Sequence, residues 1–201
     1  MTLSTEPLDQ EDQDAIILDA RAGDLESLKE IFSTLIHPSL ITSCECTTSR
    51  SSPLHMAAGN GHLEVVRYLL ESVKSNAKDA SALKCFVNKK NETGNTALHW
   101  ASLNDKLEVV ELLCNEYEAD PFIRNSFGHD AIFEAENAGN EAIENFYLKK
   151  YDVEPEDNLE NAASTVQISE GTEIEQITKE AYKASEELRE STKKLSLNDD
   201  N

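Results

Sequence analysis

Apolar and polar positions follow a helical period over most of the chain, and one order of them occurs twice. The stretch 52–70, SPLHMAAGNGHLEVVRYLL, returns as 96–114, TALHWASLNDKLEVVELLC. Each copy contains a short apolar segment, a polar turn, and a second segment with apolar residues three and four positions apart. Two such segments joined by a tight turn predict a pair of packed helices. We therefore expect an all-α fold built from repeated helix pairs.

This order of residues resembles the ankyrin repeat, in which a turn leads into a Thr-Pro-Leu-His-x-Ala helix and a Gly-His turn leads into a second helix. Thr96 at the start of a helix can accept hydrogen bonds from the free amides there. Gly61 permits the left-handed backbone that ends a helix. The resemblance implies that His55 and His99 bridge backbone groups of adjoining turns, which is a structural role and not a catalytic one.

Two weaker copies flank the clear ones. Residues 125–150 contain a glycine turn and a helix that Asp130 can cap, and residues 14–47 fit the same frame without its opening turn. Degenerate end repeats are expected, because one face of each meets water. The sequence thus predicts an ankyrin-repeat solenoid of about four repeats over residues 14–150, with the first and last degenerate. The predicted repeats are about 14–47, 48–90, 91–124 and 125–150.

Two segments depart from the repeat period. Gly94 and Gly128 lie 34 residues apart, whereas Leu54 and Leu98 lie 44 apart. About eleven residues are therefore inserted between Leu70 and Asn91, relative to a period of about 33. The composition of 75–87 predicts either a lengthened second helix or an extra turn. The Ser, Thr and Cys residues of 41–51 predict a polar loop.

The two ends lie outside the repeats. Residues 1–13 are predicted to form an acidic arm. Residues 151–201 begin as a solvated linker and continue with Ile174, Ile177 and Leu188 at helical spacing, which predicts an amphipathic helix with an acidic face. Three roles remain open for this helix: it docks on the repeats, it binds a partner, or it stays disordered.

The charge of the chain bears on its partners. The chain has 39 acidic and 18 basic residues, a formal net charge of −21, with 10 acidic and 3 basic residues in 1–50 and 14 and 5 in 151–201. A surface this negative repels nucleic-acid phosphate and attracts basic proteins, although acidic residues also serve solubility alone. Since the sequence shows neither a signal-peptide pattern nor a run of about 20 apolar residues, we expect an intracellular protein that binds neither nucleic acid nor membrane.

Residues with reactive side chains are few and scattered. Cys44 and Cys46, with His55 and His62 downstream, suggest a zinc site, but Cys-x-Cys without a second close pair is not the usual ligand spacing. Cys114 lies in an apolar helical run and is expected in the core. The sequence has no phosphate-binding glycine loop and no nucleophile beside an evident base. We therefore expect no enzymatic activity, no cofactor and no metal.

Ankyrin stacks usually present a concave face made of turn tips and the exposed sides of the first helices. Aligning the repeats places Trp100 at an outward position of that face, where it is either a recognition anchor or packed against the insertion or the tail. The predicted partner-binding residues are Met56, Asn60, Glu92, Asn95, Trp100, Leu103, Asn104, Asp105, Asn125, Phe127 and Glu134. The predicted structural residues of the motif are His55, Gly61, Gly94, Thr96, His99 and Gly128.

Several stretches that the repeat pattern does not dictate carry a more specific likeness. The sequence closely resembles the ankyrin-repeat chaperones of yeast that serve the small-subunit ribosomal protein S-three. The stretches that carry the likeness are residues 6–14, 94–104, 116–125, 127–137, 148–157 and 171–176. The resemblance implies a dedicated chaperone that binds a newly made basic ribosomal protein, keeps it soluble and supports biogenesis of the 40S subunit. We expect the protein by itself to be a monomer.

A second class of function stays open at this point. An ankyrin-repeat adaptor or inhibitor of a signalling or transcription protein would use the same face for a partner that is not especially basic. The acidic ends favour the chaperone, because an adaptor has no evident need for them. We expect the protein in the cytoplasm and the nucleus, since a chain of 201 residues is small enough to diffuse between them.

Overall fold

The structure, a computed structural model, describes residues 3–77 and 80–151. Its helices follow one another in antiparallel pairs, with an additional helix, α5, between the second and third pairs. They are α1 (Gln10–Ala22), α2 (Leu25–Glu30), α3 (Pro53–Asn60), α4 (Leu63–Asn76), α5 (Ala80–Val87), α6 (Ala97–Leu103), α7 (Leu107–Glu116), α8 (Ala131–Ala138) and α9 (Glu141–Tyr151). The described residues contain no β-strand beyond one bridge between Ser4 and Ile36. The predicted all-α fold of repeated helix pairs is confirmed.

The helix pairs form two layers. The first helices α1, α3, α6 and α8 pack against one another in that order, and α4, α7 and α9 stack behind them. The first helices α3 and α6 have only 8 and 7 residues. Ala57, Ala58 and Ala101 in them are fully buried, so neighbouring helices can approach closely. The second helices contribute larger apolar side chains such as Leu70 and Leu113. One continuous core therefore runs through all four pairs.

The ends of the helices follow the sequence signals. Asp9, Asp24 and Asp130 accept hydrogen bonds from the free amides at the starts of α1, α2 and α8. Gly61, which ends α3, has φ +81°, a conformation that costs a glycine little. The caps fix where each helix begins and so set the positions of the side chains described below.

The N-terminal segment is not a free arm. Residues 10–13 of the predicted arm 1–13 belong to α1, because Asp9 caps that helix and Asp12 N donates to its carboxylate. Ser4 pairs with the chain after α2, through Ser4 N to Leu35 O at 2.9 Å and His37 N to Ser4 O at 2.8 Å. The segment therefore runs back along the first helix pair.

The insertion is a longer second helix followed by a further helix. Helix α4 has 14 residues and its counterpart α7 has 10, and α5 packs against α4. The segment 41–51 is less polar than expected. It begins inside a 3₁₀ helix, Pro38–Ser43, and Ile41 and Cys44 are fully buried. The predicted linker and amphipathic helix of 151–201 lie outside the described residues except for Tyr151, the last residue of α9. None of the described helices is long and apolar enough to cross a membrane.

Candidate functional site

Three segments lead into the first helices and form the tips of the stack. We call them finger 1 (44–51), finger 2 (88–95) and finger 3 (117–129), and we call the fingers together with the exposed sides of the first helices the finger face. Neighbouring fingers are joined by backbone hydrogen bonds, from Glu92 N to Ser49 O at 2.9 Å and from Ser126 N to Thr93 O at 3.0 Å. The finger face is therefore one connected surface.

Two buried histidines tie fingers 2 and 3 to the first helices that precede them. The Nδ1 atom of His55 accepts a hydrogen bond from Ser52 N at 3.2 Å, so its ring proton lies on Nε2 and is donated to Asn95 O at 2.9 Å. His99 repeats the arrangement with Thr96 N at 3.1 Å and His129 O at 3.2 Å. Both histidines thus bridge backbone groups of adjoining turns. Burial lowers the pKa of His55 to about 4 and also lowers the pKa of His99, so both rings are neutral near pH 7.

Asn125 was predicted to bind a partner, but its side chain is occupied inside the molecule. Only 7% of it is exposed. Its amide nitrogen donates to Asn95 Oδ1 at 2.8 Å and Glu134 Oε1 at 3.0 Å, while its oxygen accepts from the Phe127 and His129 amides, each at 3.0 Å. The structure therefore gives Asn125 an internal role, in which it holds finger 3 in shape.

Asn91 shapes finger 2 in the same way, and the sequence analysis missed it. Its side-chain oxygen accepts from Thr93 N at 3.1 Å and Asn95 N at 2.9 Å, and its amide donates to Ser51 Oγ at 3.3 Å. The signal was available, since Asn-x-x-Gly occurs at both 91–94 and 125–128. Gly94 has φ +77°, and a Cβ there would lie 2.9 Å from Ser126 N. The contact between fingers 2 and 3 therefore requires glycine at position 94.

Trp100 lies half-buried on the finger face. It packs against the preceding repeat. The centroids of the Trp100 and His55 rings lie 6.2 Å apart in an edge-to-face arrangement. A Cβ on Gly59 would lie only 3.0 Å from Trp100 Cε3, so the glycine lets the indole rest on α3. The packing partner is therefore the neighbouring repeat, and Trp100 as a whole is only half-buried. A half-buried tryptophan on a rigid base is suited to anchoring a partner.

The structure distributes the other predicted partner-binding residues over the finger face. Asn60 and Asn104 are exposed and donate to the carbonyls of Met56 and Trp100 at 2.8 Å and 2.9 Å, one turn before each. Glu134 is held by Asn125 and has 14% of its side chain exposed. The remaining exposed members are Glu92, Leu103, Asp105 and Phe127, and the half-buried members are Met56 and Asn95.

A row of three rings at finger 3 was largely missed by the sequence analysis, which named only Phe127. The His129 ring lies 4.1 Å from the Phe133 ring at a tilt of 33°, and 6.2 Å from the Phe127 ring. Phe127 is 72% exposed and Phe133 40%. A signal did exist, because Phe133 occupies the third helical position that histidine fills in α3 and α6. We call this row the aromatic ledge.

The cysteine and histidine side chains do not assemble into a metal centre in the part of the chain that the structure describes. Burial raises the pKa of the Cys44 thiol to about 12 and that of Cys114 to about 11. The Cys114 side chain lies in the core, as predicted. The hydrogen bond with Thr48 lowers the pKa of the more accessible Cys46 to about 7. His62 Nε2 lies 2.9 Å from Arg21 O and ties the first two repeats together.

Comparison with known sequences and structures agrees with this architecture. The family described as Ankyrin repeats (3 copies) matches residues 15–125. The ankyrin repeat-containing protein YAR1 of Saccharomyces cerevisiae is 65% identical over 204 residues, which cover 100% of both chains. A more distant match is the Arabidopsis thaliana protein ACCELERATED CELL DEATH 6, 36% identical over 131 residues that span 60% of this chain and 18% of that protein.

A solved structure matches the described fold. It is the crystal structure of the yeast ribosomal protein Rps3 in complex with its chaperone Yar1. The matched chain is 71% identical, with a TM-score of 0.71, and the match covers 75% of this chain and 100% of that chain. The likeness therefore extends to both sequence and three-dimensional structure.

Proposed function

Because this chain belongs to the ankyrin-repeat family, we propose that it is a dedicated chaperone of a basic small-subunit ribosomal protein of the S-three type. In this role it binds the newly made protein, keeps it soluble and supports biogenesis of the 40S subunit. One observation carries the proposal: the chain aligns over its whole length, at 65% identity, with a yeast relative that is named as the chaperone of Rps3 in a solved complex.

The charge of the molecule suits this role. An unassembled RNA-binding protein exposes cationic surface that aggregates or binds stray RNA. A chain with a net charge of −21 attracts such a surface at long range and speeds its association. The partner leaves when ribosomal RNA offers a denser array of negative charge. The proposed cycle therefore needs no catalytic step, and we propose a binding protein without enzymatic activity, working in the cytoplasm and the nucleus.

The finger face is the proposed binding surface. It offers Trp100 on a rigid base, with exposed carboxylates at Glu92 and Asp105. Buried histidines and asparagines hold the fingers in place, so little conformational entropy is lost on binding. An aromatic anchor surrounded by acid suits a basic segment that also carries an apolar residue.

The test is capture of the ribosomal protein by the purified full chain. We expect a complex that is free of ribosomal RNA and that elutes with rising salt. Trp100→Ala is expected to weaken binding at least about tenfold, the size of a hot-spot residue. Two matched variants distinguish binding at the finger face from a general effect of net charge. Glu92→Gln on finger 2 is expected to weaken binding more than Glu111→Gln, which removes the same charge from the exposed side of α7.

Two results would contradict the proposal. Failure of the wild-type chain to bind the ribosomal protein at low salt would remove the chaperone function. Capture of a signalling or transcription protein that is not basic would favour the adaptor instead. Equal binding by the Glu92→Gln and Glu111→Gln variants, with Trp100→Ala also unaffected, would keep the chaperone but exclude the finger face as its binding surface.

A further inference from the structure

The aromatic ledge lies where the described stack ends. In α3 and α6, the side chain three residues after the N-cap is a histidine that donates to the backbone of the next finger. The equivalent residue of α8 is Phe133, and no finger follows it among the described residues. Its ring is 40% exposed and stacks on His129. The position that elsewhere contacts the next finger here presents an aromatic surface.

Carboxylates predominate in the sequence around the ledge, although Arg124 precedes Asn125 and Lys90 Nζ donates to Arg124 O at 2.9 Å. From Asn125 to Leu148 the sequence has five carboxylates and neither lysine nor arginine. Asp130 and Glu134 lie within the helix start that carries Phe133, and the exposed Glu136 follows one helical turn later. Such a surface repels an anionic ligand. A purely apolar partner would remove the exposed Glu136 carboxylate from water, which costs free energy.

We propose that the aromatic ledge, Phe127, His129 and Phe133, is a docking site for an arginine side chain of a basic protein partner. A guanidinium group is flat, weakly hydrated and always charged, so it stacks on aromatic rings while its N–H groups reach carboxylates. Lysine carries the same charge but a compact, strongly hydrated head that stacks less well. The combination of exposed ring faces and nearby carboxylates therefore selects arginine over lysine.

The ledge is pre-organised for such a contact. Asn125 accepts hydrogen bonds from the backbone amides of both Phe127 and His129. Asp130 Oδ1 accepts from Phe133 N at 2.9 Å, and His99 holds the carbonyl of His129. Each of the three rings therefore stands on a backbone that the fold already fixes, which reduces the entropy lost on binding.

This inference deepens the proposed function and rests on it for the identity of the partner, but its chemistry can be tested alone. The probes are two Gly/Ser peptides of equal length, one with evenly spaced arginines and the other with lysines at the same places. Each is titrated into the full chain, with labelled phenylalanine and histidine rings followed by NMR. We expect the arginine peptide to shift the Phe127, His129 and Phe133 signals and to bind about fivefold more tightly.

The variants separate aromatic character from bulk. Phe127→Leu with Phe133→Leu keeps apolar side chains in place and is expected to lower the affinity for the arginine peptide to that for the lysine peptide. Phe122→Leu is the matched control, because Phe122 is 57% exposed and its ring contacts Tyr151 and not the ledge. Far-UV circular dichroism confirms that each variant is folded. Equal affinity for the two peptides, or NMR shifts that spare the three rings, would refute the proposal that the ledge is a docking site for arginine.

The ribosomal protein itself distinguishes the two proposals. If wild type binds it and the double leucine variant binds it several-fold more weakly, both proposals stand. If both bind it equally, the chaperone function stands and the ledge is not its docking site, which overturns the inference. If wild type does not bind it but the arginine peptide still shifts the ledge rings, the proposed function fails while the docking chemistry is supported.

Discussion

His55 shows at the scale of one residue how a signature of the family becomes a source of stability. Its buried ring has a pKa of about 4 in the folded chain, against about 6.5 when unfolded. Between these values the unfolded state binds more protons, so the free energy of unfolding falls as pH falls through this window, by up to about 3 kcal/mol. His99 acts in the same direction. Urea unfolding at several pH values between about 7 and 4.5 measures the decline.

Carboxylates also contribute to a loss of unfolding free energy at low pH, so a variant of His55 is needed to isolate the contribution of this residue. The hydrogen bond with Arg67 lowers the pKa of Glu116, for instance, and its stabilisation is likewise lost towards low pH. His55→Gln is expected to be less stable than wild type near pH 7, because a buried network is broken. The free energy of unfolding of this variant should nevertheless fall less steeply with falling pH than that of the wild type. Parallel curves for the two proteins would show that titration of His55 has no part in the acid response.

A second prediction concerns a buried hydrogen bond between repeats. The hydroxyl groups of Ser102 and Tyr147 lie 2.7 Å apart in the core, and burial raises the pKa of Tyr147. Tyr147→Phe leaves the Ser102 hydroxyl without this partner and is expected to cost about 1–2 kcal/mol in unfolding free energy. Adding Ser102→Ala removes the unpaired hydroxyl group. The double variant should therefore lose less unfolding free energy than the sum of the losses in the two single variants. Strict additivity in denaturant unfolding would contradict this coupling.

What could be predicted at this scale depended on the residue type. The histidines and Gly61 have contacts and backbone geometry that their position in the motif specifies. The internal role of Asn125 could not be predicted, because an asparagine in a turn is polar whether it faces water or bonds the turn's own amides. Only the fold decides between those two states. Phe133 was overlooked because an apolar residue in a helix is usually part of the core.

Among the elements, helix pairs with strong periodicity were predictable and irregular segments were not. The turn and cap residues of α3 and α6 agree with the apolar pattern, so local and global signals coincide. The segment 41–51 was assigned as a polar loop from its Ser, Thr and Cys content. Ile41 and Cys44 are nevertheless buried, because the lengthened α4 packs against the 3₁₀ helix Pro38–Ser43. That contact depends on the insertion and has no counterpart in the other repeats.

The start of α8 offers a test at the element scale. Asp130 is its N-cap, and the carboxylate accepts from Phe133 N at 2.9 Å. Asp130→Ala is expected to cost about 1 kcal/mol and to increase amide hydrogen exchange in the first turn of α8. Asp130→Asn keeps an accepting oxygen and should stay within a few tenths of a kcal/mol of wild type. Similar losses in both variants would mean that the charge, and not the cap, stabilises the helix.

At the scale of the whole molecule, the same charge has opposite consequences for folding and for binding. Residues 1–150 carry 25 acidic and 13 basic residues, and this excess of negative charge repels itself in the compact state. It also supplies the long-range attraction that the proposed basic partner requires. The stack tolerates this repulsion because its core is continuous through all four helix pairs. The same negative charge therefore weakens the fold of the free protein and strengthens the attraction to the proposed basic partner.

Because charge has opposite effects on folding and on binding, added salt is expected to stabilise the free protein and to weaken its binding to the partner. Raising NaCl from about 50 to about 300 mM shortens the Debye length from roughly 14 to roughly 6 Å. The free protein should then melt at a temperature a few degrees higher, while its affinity for the ribosomal protein falls on the order of tenfold or more, mainly through slower association. Calorimetry and stopped-flow binding measure the two effects on one preparation. An affinity that does not change with salt would mean that apolar contacts at Trp100 and its neighbours, and not charge, hold the partner. A melting temperature that falls would mean that close ion pairs such as Arg67–Glu116, at 2.7 Å, outweigh the general repulsion.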